Sequence, residues 1–357
     1  MKFARCDVKK MNKPTLTFPT IFSTLALSAC VTACSAQGGT DMARLSPPEY
    51  LSRVIGLIEK RALRSSSVDW KTTKSKSLEL ITGAKSTADA YPAINYVLSQ
   101  LGDNHSFLVS RTGSGTRPFR TAAQPTVQKR VASPRLLEAD GKKFGFVSVG
   151  SLGDENNTEA AKTFARFLQQ EISESAQAQP VGWIVDLRGN TGGNMWPMLV
   201  GIGPLIGAGT LGYFEYPNMN VAWFYENGQS GVINGLGKHA NFKLDNSIAD
   251  LPHVPIAVLI DGATASSGEA LTISFKGRAS TCVIGSHTRG LSTNNENIRL
   301  PDGATLYLTT SGEADRNHVS YDSGIAPDIN IEQGEISLGA KDDPGIKAAI
   351  DWLKTHR

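Results

Sequence analysis

Cysteine is scarce in this sequence, and its placement limits where disulfides can form. Only four of the 357 residues are cysteine, and Cys6, Cys30 and Cys34 all fall within the first 36 residues. The remaining one, Cys282, lies in an apolar run that predicts a buried strand. A structural disulfide within the main body of the protein is therefore not expected. We interpret Cys282 as a small core residue.

Several binding signatures are also missing. The sequence has no His-Glu-x-x-His pair for zinc, and no Gly-Lys-Ser/Thr follows its glycine turn near residue 192, so a phosphate-binding loop is not expected. Lysine and arginine are scattered, and the small excess of positive charge comes from the first 36 residues, which hold five basic residues and one acidic residue. We therefore expect no metal, no organic cofactor and no nucleic-acid partner.

The first 36 residues have the order of a secretory signal. Basic residues precede an apolar stretch at 16–29, and small residues follow it. The uncharged run is shorter than the roughly 20 residues of a membrane-spanning helix. Two overlapping segments, ending at Cys30 and at Cys34, resemble the bacterial lipobox, whose cysteine is lipidated, with ordinary cleavage after Ala36 as the alternative. Both predict a bacterial envelope protein, periplasmic or attached to the outer membrane through a lipid.

Beyond the signal, the pattern changes twice. Residues 37–110 carry apolar positions at helical spacing and predict a small helical domain. Residues 111–140 are rich in glycine, proline, threonine and arginine with little periodicity, and predict a linker. Residues 141–357 alternate short β-rich runs with helical ones, which predicts an α/β domain with a mostly parallel central sheet. The predicted elements are strands over 144–149, 182–187 and 256–260, and helices over 158–173 and 196–206.

A run of small residues at 261–270 (Asp-Gly-Ala-Thr-Ala-Ser-Ser-Gly-Glu-Ala) follows the predicted strand 256–260. It has the form of a strand, a tight loop and the start of a helix, with Ser266 at the bend. A serine there is exposed at the carboxyl edge of a sheet, beside helix-terminal amides that can hold an oxyanion. The alternative is a plain helix N-cap.

Three more segments carry polar or glycine-rich patterns. His105 ends the helical region, where a surface or capping histidine is the alternative. Residues 183–194 form an apolar strand that runs into a turn with Gly192 and Gly193, whose amides could face a ligand or oxyanion or merely form a tight turn. Residues 321–328 form a turn with two carboxylates near the C terminus.

Together, these segments resemble the tail-specific, or C-terminal processing, serine proteases and the related core of tricorn protease. Residues 101–105 are similar to the motif L-x-D-x-H, 186–193 to D-L-R-x-N-x-G-G, 264–269 to T-A-S-x-(S/G)-E, and 324–328 to G-(V/I)-x-P-D. The four motifs occur in the family's order across most of residues 46–330. The resemblance implies a crotonase-like or ClpP-like layer fold, with Ser266 as nucleophile and Ser267 as the alternative.

The sequence departs from the processing branch at the general base. That branch uses a lysine in a G-K-G turn, whereas the corresponding turn here, residues 290–292, reads Gly-Leu-Ser. Lys276 lies ten residues beyond Ser266 on the same predicted helix, about 15 Å along its axis, and could not reach it. Resemblance to the tricorn branch assigns the base to His105 instead, with His287 as the alternative.

The resemblance also suggests the supporting groups. Asp322 is the acid closest to the position of a glutamate that orients the histidine in the tricorn branch, and Glu313 is the second candidate. Asp103 lies beside the histidine in sequence, where it could equally cap a turn. The oxyanion hole would combine the amide of Gly192 or Gly193 with that of Ser267.

The sequence therefore predicts a secreted or lipid-anchored serine peptidase that cleaves a peptide or protein through an acyl-enzyme. The 35 residues between Leu108 and Phe144 are too few for the PDZ domain that many processing proteases carry, so recognition of a protein C terminus by such a domain is not expected. Two alternatives remain. One is a binding module of the same fold for hydrophobic ligands, and the other is an esterase-like serine hydrolase.

Overall fold

A computed structural model describes residues 45–113, 136–153, 159–251, 254–331 and 342–356. The signal and lipidation predictions, including those for Cys30 and Cys34, lie outside these ranges, as does most of the predicted linker. Residues Leu45–Arg357 cluster into one compact unit. The predicted domain boundaries at 110 and 140 stay predictions. Among the described residues, no helix is both long and apolar enough to cross a membrane.

Seven α-helices occur in the described ranges. Capping explains where they begin and end: the Glu49 carboxylate accepts the Ser46 amide at the start of the first helix, and the third ends at Gly102, whose φ of +64° suits glycine. The helices are α1 (Pro47–Arg61), α2 (Trp70–Glu79), α3 (Tyr91–Leu101), α4 (Glu159–Ala176), α5 (Met195–Ile206), α6 (Ser267–Phe275) and α7 (Pro344–Thr355).

Thirteen strands accompany the helices in the same ranges. They are β1 (Phe107–Val109), β2 (Leu136–Ala139), β3 (Lys142–Ser148), β4 (Trp183–Asp186), β5 (Gly209–Tyr216), β6 (Met219–Glu226), β7 (Gln229–Asn234), β8 (Gly237–Lys243), β9 (Ile256–Ile260), β10 (Thr281–Gly285), β11 (Thr293–Arg299), β12 (Thr305–Asp315) and β13 (Ile329–Asn330). Each of the strands and helices predicted from sequence overlaps one of these elements.

A six-stranded sheet forms the centre of the α/β region, in the order β13-β10-β9-β4-β3-β2. Its pairs are parallel except for the β2–β3 hairpin. Strand β9 is fully buried, as expected for a strand covered on both faces. One face packs with α4, α5 and α6, and the other packs against α7. The carboxyl ends of β4 and β9 lie side by side, with Asp186 paired to Leu259.

A second, seven-stranded sheet is antiparallel throughout, in the order β1-β12-β5-β6-β7-β8 with β11 paired to β12. Helices α1 and α3 pack their apolar faces against the β11–β12 hairpin. The α/β prediction is thus confirmed as a mixed α/β fold. The prediction of a mostly parallel sheet needs correction, because it holds for the six-stranded sheet alone. The crotonase-like layering stays a prediction.

Candidate active site

Ser266 occupies a sharp bend between β9 and α6. Its φ of +52° is unusual for a residue with a side chain, and such strain is typical of a nucleophile held on a strand-to-helix turn. Its amide donates to Glu269 Oε2 at 2.8 Å. The preceding residue, Ala265, donates its amide to the carbonyl of Asn190 at 2.9 Å. The bend is therefore held both by its own helix and by the turn after β4.

His105 lies in the short turn between α3 and β1, and the structure brings it to Ser266. Its Nε2 is 3.1 Å from Ser266 Oγ, and only 3% of the residue is exposed. The carboxylate of Asp103 accepts the amides of His105 and Ser106 at 3.0 and 2.9 Å, which fixes the backbone of the turn. The predicted nucleophile and the predicted base are thus in hydrogen-bonding contact.

Strand β11 contacts the same histidine at two further points. Thr293 Oγ1 lies 2.7 Å from His105 Nδ1. Asn295 donates its side-chain amide to the carbonyl of His105 at 2.9 Å, and accepts the hydroxyl of Thr309 at 2.8 Å. The ring and the backbone carbonyl of His105 are therefore both hydrogen-bonded to β11.

Burial lowers the pKa of His105 to about 4, and the negative charge of Asp103 offsets this only in part. The imidazole is therefore neutral at neutral pH. A neutral imidazole has one ring nitrogen free to accept a proton, which is the state that a general base requires.

The glycine turn after β4 faces the serine bend. A Cβ placed on Gly192 would lie 2.8 Å from Ser266 Cβ and 3.0 Å from the amide nitrogen of Ser267, so the approach requires glycine. The Gly192 amide already donates to Asn190 Oδ1 at 2.9 Å. In the described part of the chain, the amides of Gly193 and Ser267 have no acceptor in hydrogen-bonding geometry. Of the two predicted glycines, Gly193 thus has the available donor.

Ser267, the alternative nucleophile, is placed differently from Ser266. Its hydroxyl donates to the carbonyl of Gly193, and it begins α6 with 9% of its surface exposed. Its contact ties the helix to the glycine turn, whereas the hydroxyl of Ser266 meets the histidine ring.

The turn at residues 290–292, where the processing branch has its lysine, is held by Glu269. This buried carboxylate accepts the amides of Gly290 and Leu291 at 2.9 and 2.8 Å and the hydroxyl of Thr288 at 2.6 Å. Burial raises its pKa, and these hydrogen bonds counteract the rise. Lys276 lies at the other end of α6, where it forms an ion pair with Asp328 at 2.7 Å.

The role of Asp322 as the acid that orients the histidine ring stays a prediction. Asp322 is exposed in the turn before Gly324, while Nδ1 of His105 contacts Thr293. The hydroxyl of Thr293 therefore faces the ring nitrogen that the predicted carboxylate was expected to contact. His287, the alternative base, is exposed and its Nδ1 contacts the carbonyl of Thr288 at 2.8 Å.

Glu313, the second candidate acid, is 3% exposed on β12, and its Oε2 has no hydrogen-bonding partner among the described residues. Burial and the nearby charge of Glu269 raise its pKa well above the usual value. Burial therefore favours the neutral, protonated form of this carboxyl. Asp103, the remaining acid, supports the histidine's backbone as described above.

Sequence reasoning did not assign a role to three of the residues that shape the site. Arg188 is buried between Asp186 and Asp343, with contacts of 2.9 and 2.8 Å, and thereby joins the end of β4 to the start of α7. Asn190 holds the glycine turn through its side chain and the serine bend through its carbonyl. Both lie in the motif at residues 186–193, which was the available signal. Thr293 carried no such signal.

In the described ranges, no three His, Cys, Asp or Glu side chains are gathered as metal ligands would be. The prediction that the protein needs no metal and no organic cofactor stays a prediction.

Comparison with known proteins places this geometry in a family. The family model "Peptidase family S41" matches residues 143–331, just over half of the chain. The chain is 29% identical over 312 residues to a nisin-resistance protein of Lactococcus lactis subsp. lactis, covering 87% of this chain and 88% of that protein. It is 24% identical to a carboxyl-terminal-processing protease of Picosynechococcus sp., covering 71% of this chain but only 55% of that protease.

Solved structures show the same fold. A lipoprotein from Streptococcus agalactiae aligns with a TM-score of 0.66 at 24% identity, over 87% of this chain and 97% of that one. The photosystem II D1 C-terminal processing protease aligns with a TM-score of 0.53 at 14% identity, over 83% of this chain and 98% of that one. The chain therefore belongs to peptidase family S41 and is a serine-type peptidase.

Proposed function

We propose that the protein hydrolyses peptide bonds through an acyl-enzyme on Ser266, with His105 as general base. The observation that carries this proposal is the 3.1 Å contact between His105 Nε2 and Ser266 Oγ at a strained bend. The imidazole takes the hydroxyl proton as Oγ attacks the scissile carbonyl carbon. The C–N bond then breaks, the amine leaves with that proton, and water hydrolyses the acyl-enzyme by the same route in reverse.

The amides of Gly193 and Ser267 are the proposed oxyanion donors. Both are available, and both lie at the junction of the glycine turn with the serine bend. Loss of one such donor typically costs about 3 kcal/mol of transition-state stabilisation. The hydroxyl that Ser267 donates to Gly193 holds the two elements together.

The proposed mechanism follows the Ser-His arrangement of the tricorn branch rather than the Ser-Lys arrangement of the processing branch. Two observations support this choice. The turn at residues 290–292 has no lysine and is held by Glu269, and Lys276 is paired with Asp328. A neutral, buried histidine is the base that remains beside the serine.

We propose that the protein works in the bacterial cell envelope, held to a membrane by lipid on Cys30 or Cys34. The support is the order of the first 36 residues, basic, then apolar, then small, with two lipobox-like segments at its end. Mass spectrometry of the mature N terminus tests this proposal. A diacylated cysteine at either position is the expected result, and an unmodified N terminus after Ala36 would contradict it.

For the substrate, we propose a peptide of the nisin kind ahead of the C terminus of a large protein. The similarity to the nisin-resistance protein extends over nearly all of both chains, whereas this chain spans about half of the processing protease. The linker region is also too short for the domain with which processing proteases are expected to recognise C termini.

The test is incubation of the purified protein with nisin and, separately, with an unfolded protein, followed by mass spectrometry, with Ser266→Ala as the matched control. Nisin fragments from the wild type alone are the expected result. Cleavage of the unfolded protein alone would support C-terminal processing. Turnover of simple esters without peptide cleavage would support the esterase alternative. Ligand binding without any turnover would support the binding module.

A further inference from the structure

The two nitrogens of the His105 ring have different partners, and their roles follow from the chemistry. Nε2 faces Ser266 Oγ at 3.1 Å and must carry no proton if it is to accept one. The single ring proton of the neutral imidazole then lies on Nδ1. Nδ1 is 2.7 Å from Thr293 Oγ1, so the N–H group donates to the threonine hydroxyl. This bond selects the tautomer in which His105 can act as a base.

Strand β11 is shaped to make this contact. Thr293 and Asn295 are two residues apart on β11, so their side chains lie on the same face of the strand, and both reach the histidine. Asn295 holds the carbonyl of His105, and Thr293 holds the ring, so the strand fixes both the position and the rotation of the imidazole.

Two of the acids near the site accept hydrogen bonds from groups other than the histidine ring. Asp103 accepts the amides of His105 and Ser106 and also the Ser106 hydroxyl at 2.6 Å. Glu269 accepts four donors at the serine bend and the 290–292 turn. Asp322 is exposed. A threonine hydroxyl thus occupies the side of the ring where a Ser-His-Asp triad has a carboxylate.

We propose that Thr293 is a positioning residue for His105 that holds the Nδ1–H tautomer and the ring orientation in place of a triad carboxylate, while Asn295 fixes the backbone behind it. The proposal rests on the proposed roles of Ser266 and His105. A neutral hydroxyl supplies geometry but no compensating charge, so the imidazolium formed during catalysis gains no ion pair from Thr293.

Fluorophosphonate inactivation kinetics test the proposal with three variants. Thr293→Val keeps the shape and removes the hydroxyl, Thr293→Ser keeps the hydroxyl, and Thr305→Val changes a threonine on the neighbouring strand β12. The maximal inactivation rate of Thr293→Val should fall by about 10- to 100-fold, because the buried Nδ1–H loses its acceptor. The half-saturating probe concentration should stay constant. Thr293→Ser should recover most of the rate, and Thr305→Val should match the wild type.

A Thr293→Asp variant separates positioning from simple structural support. A carboxylate beside the ring stabilises the imidazolium, so the acid limb of the rate profile should move to higher pH in this variant. An unchanged limb, or a Thr293→Val rate equal to that of the wild type, would overturn the proposal and leave the roles of Ser266 and His105 intact.

Nitrogen-15 NMR of histidine-labelled protein gives a readout that does not depend on activity. The wild type should show His105 protonated at Nδ1, and Thr293→Val should show a mixture of tautomers. A wild type protonated at Nε2 would overturn the proposal. Failure of the wild type to react with any probe would contradict the proposed function instead, and the spectra alone would then decide whether the hydrogen bond exists.

Discussion

His105 Nε2 lies 3.1 Å from Ser266 Oγ, although the two residues are 161 positions apart in the sequence. One follows helix α3 and the other precedes helix α6, so the contact forms only when the antiparallel sheet has assembled beside the parallel one. Strand β11 supplies the link, because Thr293 and Asn295 hold the histidine from the side of the sheet. The proposed reactivity of the serine therefore depends on long-range packing.

The pH dependence of acylation should reflect the buried imidazole. Since burial lowers the pKa of His105 to about 4, the base is protonated and inactive only below that value. The acylation rate should rise with pH through about 4 and level off well below the ordinary histidine value of about 6.5. Fluorophosphonate labelling rates from pH 3 to 8 measure this profile.

The charge of Asp103 gives a matched control, since it raises the histidine pKa. In Asp103→Asn, which keeps the amide-accepting oxygen, the acid limb should move to lower pH. A wild-type limb centred near 6.5 would show that His105 is solvated or paired with a carboxylate in solution.

Gly192→Ala should nearly abolish acylation. The new Cβ would lie 2.8 Å from Ser266 Cβ and 2.9 Å from the carbonyl of Ala265, at a φ of +97° that side chains rarely adopt. The nearby Gly150→Ala is the control, since a Cβ there meets nothing within 4 Å. We expect a rate loss of about 100-fold or more in the first variant, the scale of a misplaced oxyanion donor. Equal rates in both variants would show that the glycine turn does not shape the site.

The sequence predicted the parallel half of the fold better than the antiparallel half. Strand β9 and the helix after the glycine turn were both recognisable. A strand buried on both faces, such as β9, is a continuous apolar run. The hairpins of β5 to β8 lack that signature, since many of their residues are half-exposed. Asn227 and Gly228, both at positive φ, form an Asn-Gly turn between β6 and β7, which is a hairpin signal in the sequence itself.

The site was predictable where local motifs carry it. Ser266 and His105 each lie in a short motif of neighbouring residues, and the structure brings the two motifs together. Thr293 was missed because its contact with His105 joins residues 188 positions apart and depends on where β11 lies in the folded protein, which no local pattern encodes. Asp322 was chosen by its position in the sequence, but the turn that holds it faces solvent. Sequence reasoning thus predicted two residues that the structure brings into contact, and it did not single out the threonine beside the histidine ring.

Loss of the Asp343 carboxylate should destabilise the protein. Asp343 accepts two hydrogen bonds from the buried Arg188 and caps α7 through the amides of Gly345 and Ile346. Asp343→Ala leaves the guanidinium half-paired in the core, which should cost about 3 kcal/mol or more. Denaturant unfolding measures the change.

Asp351→Ala is the control for that experiment, since Asp351 is more than half exposed and its contacts with Lys347 and Lys354 are long. It should change the free energy of unfolding by less than about 1 kcal/mol. Similar losses in the two variants would show that the buried ion pair does not anchor α7.

The free energy of unfolding of Glu313→Gln, compared with that of the wild type, should increase as the pH rises. Burial raises the pKa of Glu313 in the folded state, whereas the unfolded chain ionises it near 4.3. Above about pH 4.3 the unfolded state loses this proton and the folded state keeps it, so the wild type loses stability with rising pH until the folded pKa is reached. The variant has no such loss, and the gap between the two should widen with pH.

Denaturant unfolding at pH 4, 6 and 8 measures that gap. The exposed Glu138→Gln is the control and should follow the wild type. A constant difference between Glu313→Gln and the wild type at all three values would show that Glu313 is hydrated or paired in the folded protein.

The central claim is that Ser266 is a nucleophile activated by His105, and intact-mass labelling with a fluorophosphonate tests it most directly. The wild type and Ser267→Ala should each gain one adduct, Ser266→Ala should gain none, and His105→Ala should be labelled far more slowly, with circular dichroism confirming that each variant folds. An adduct that persists on Ser266→Ala, or labelling of His105→Ala at the wild-type rate, would contradict the account.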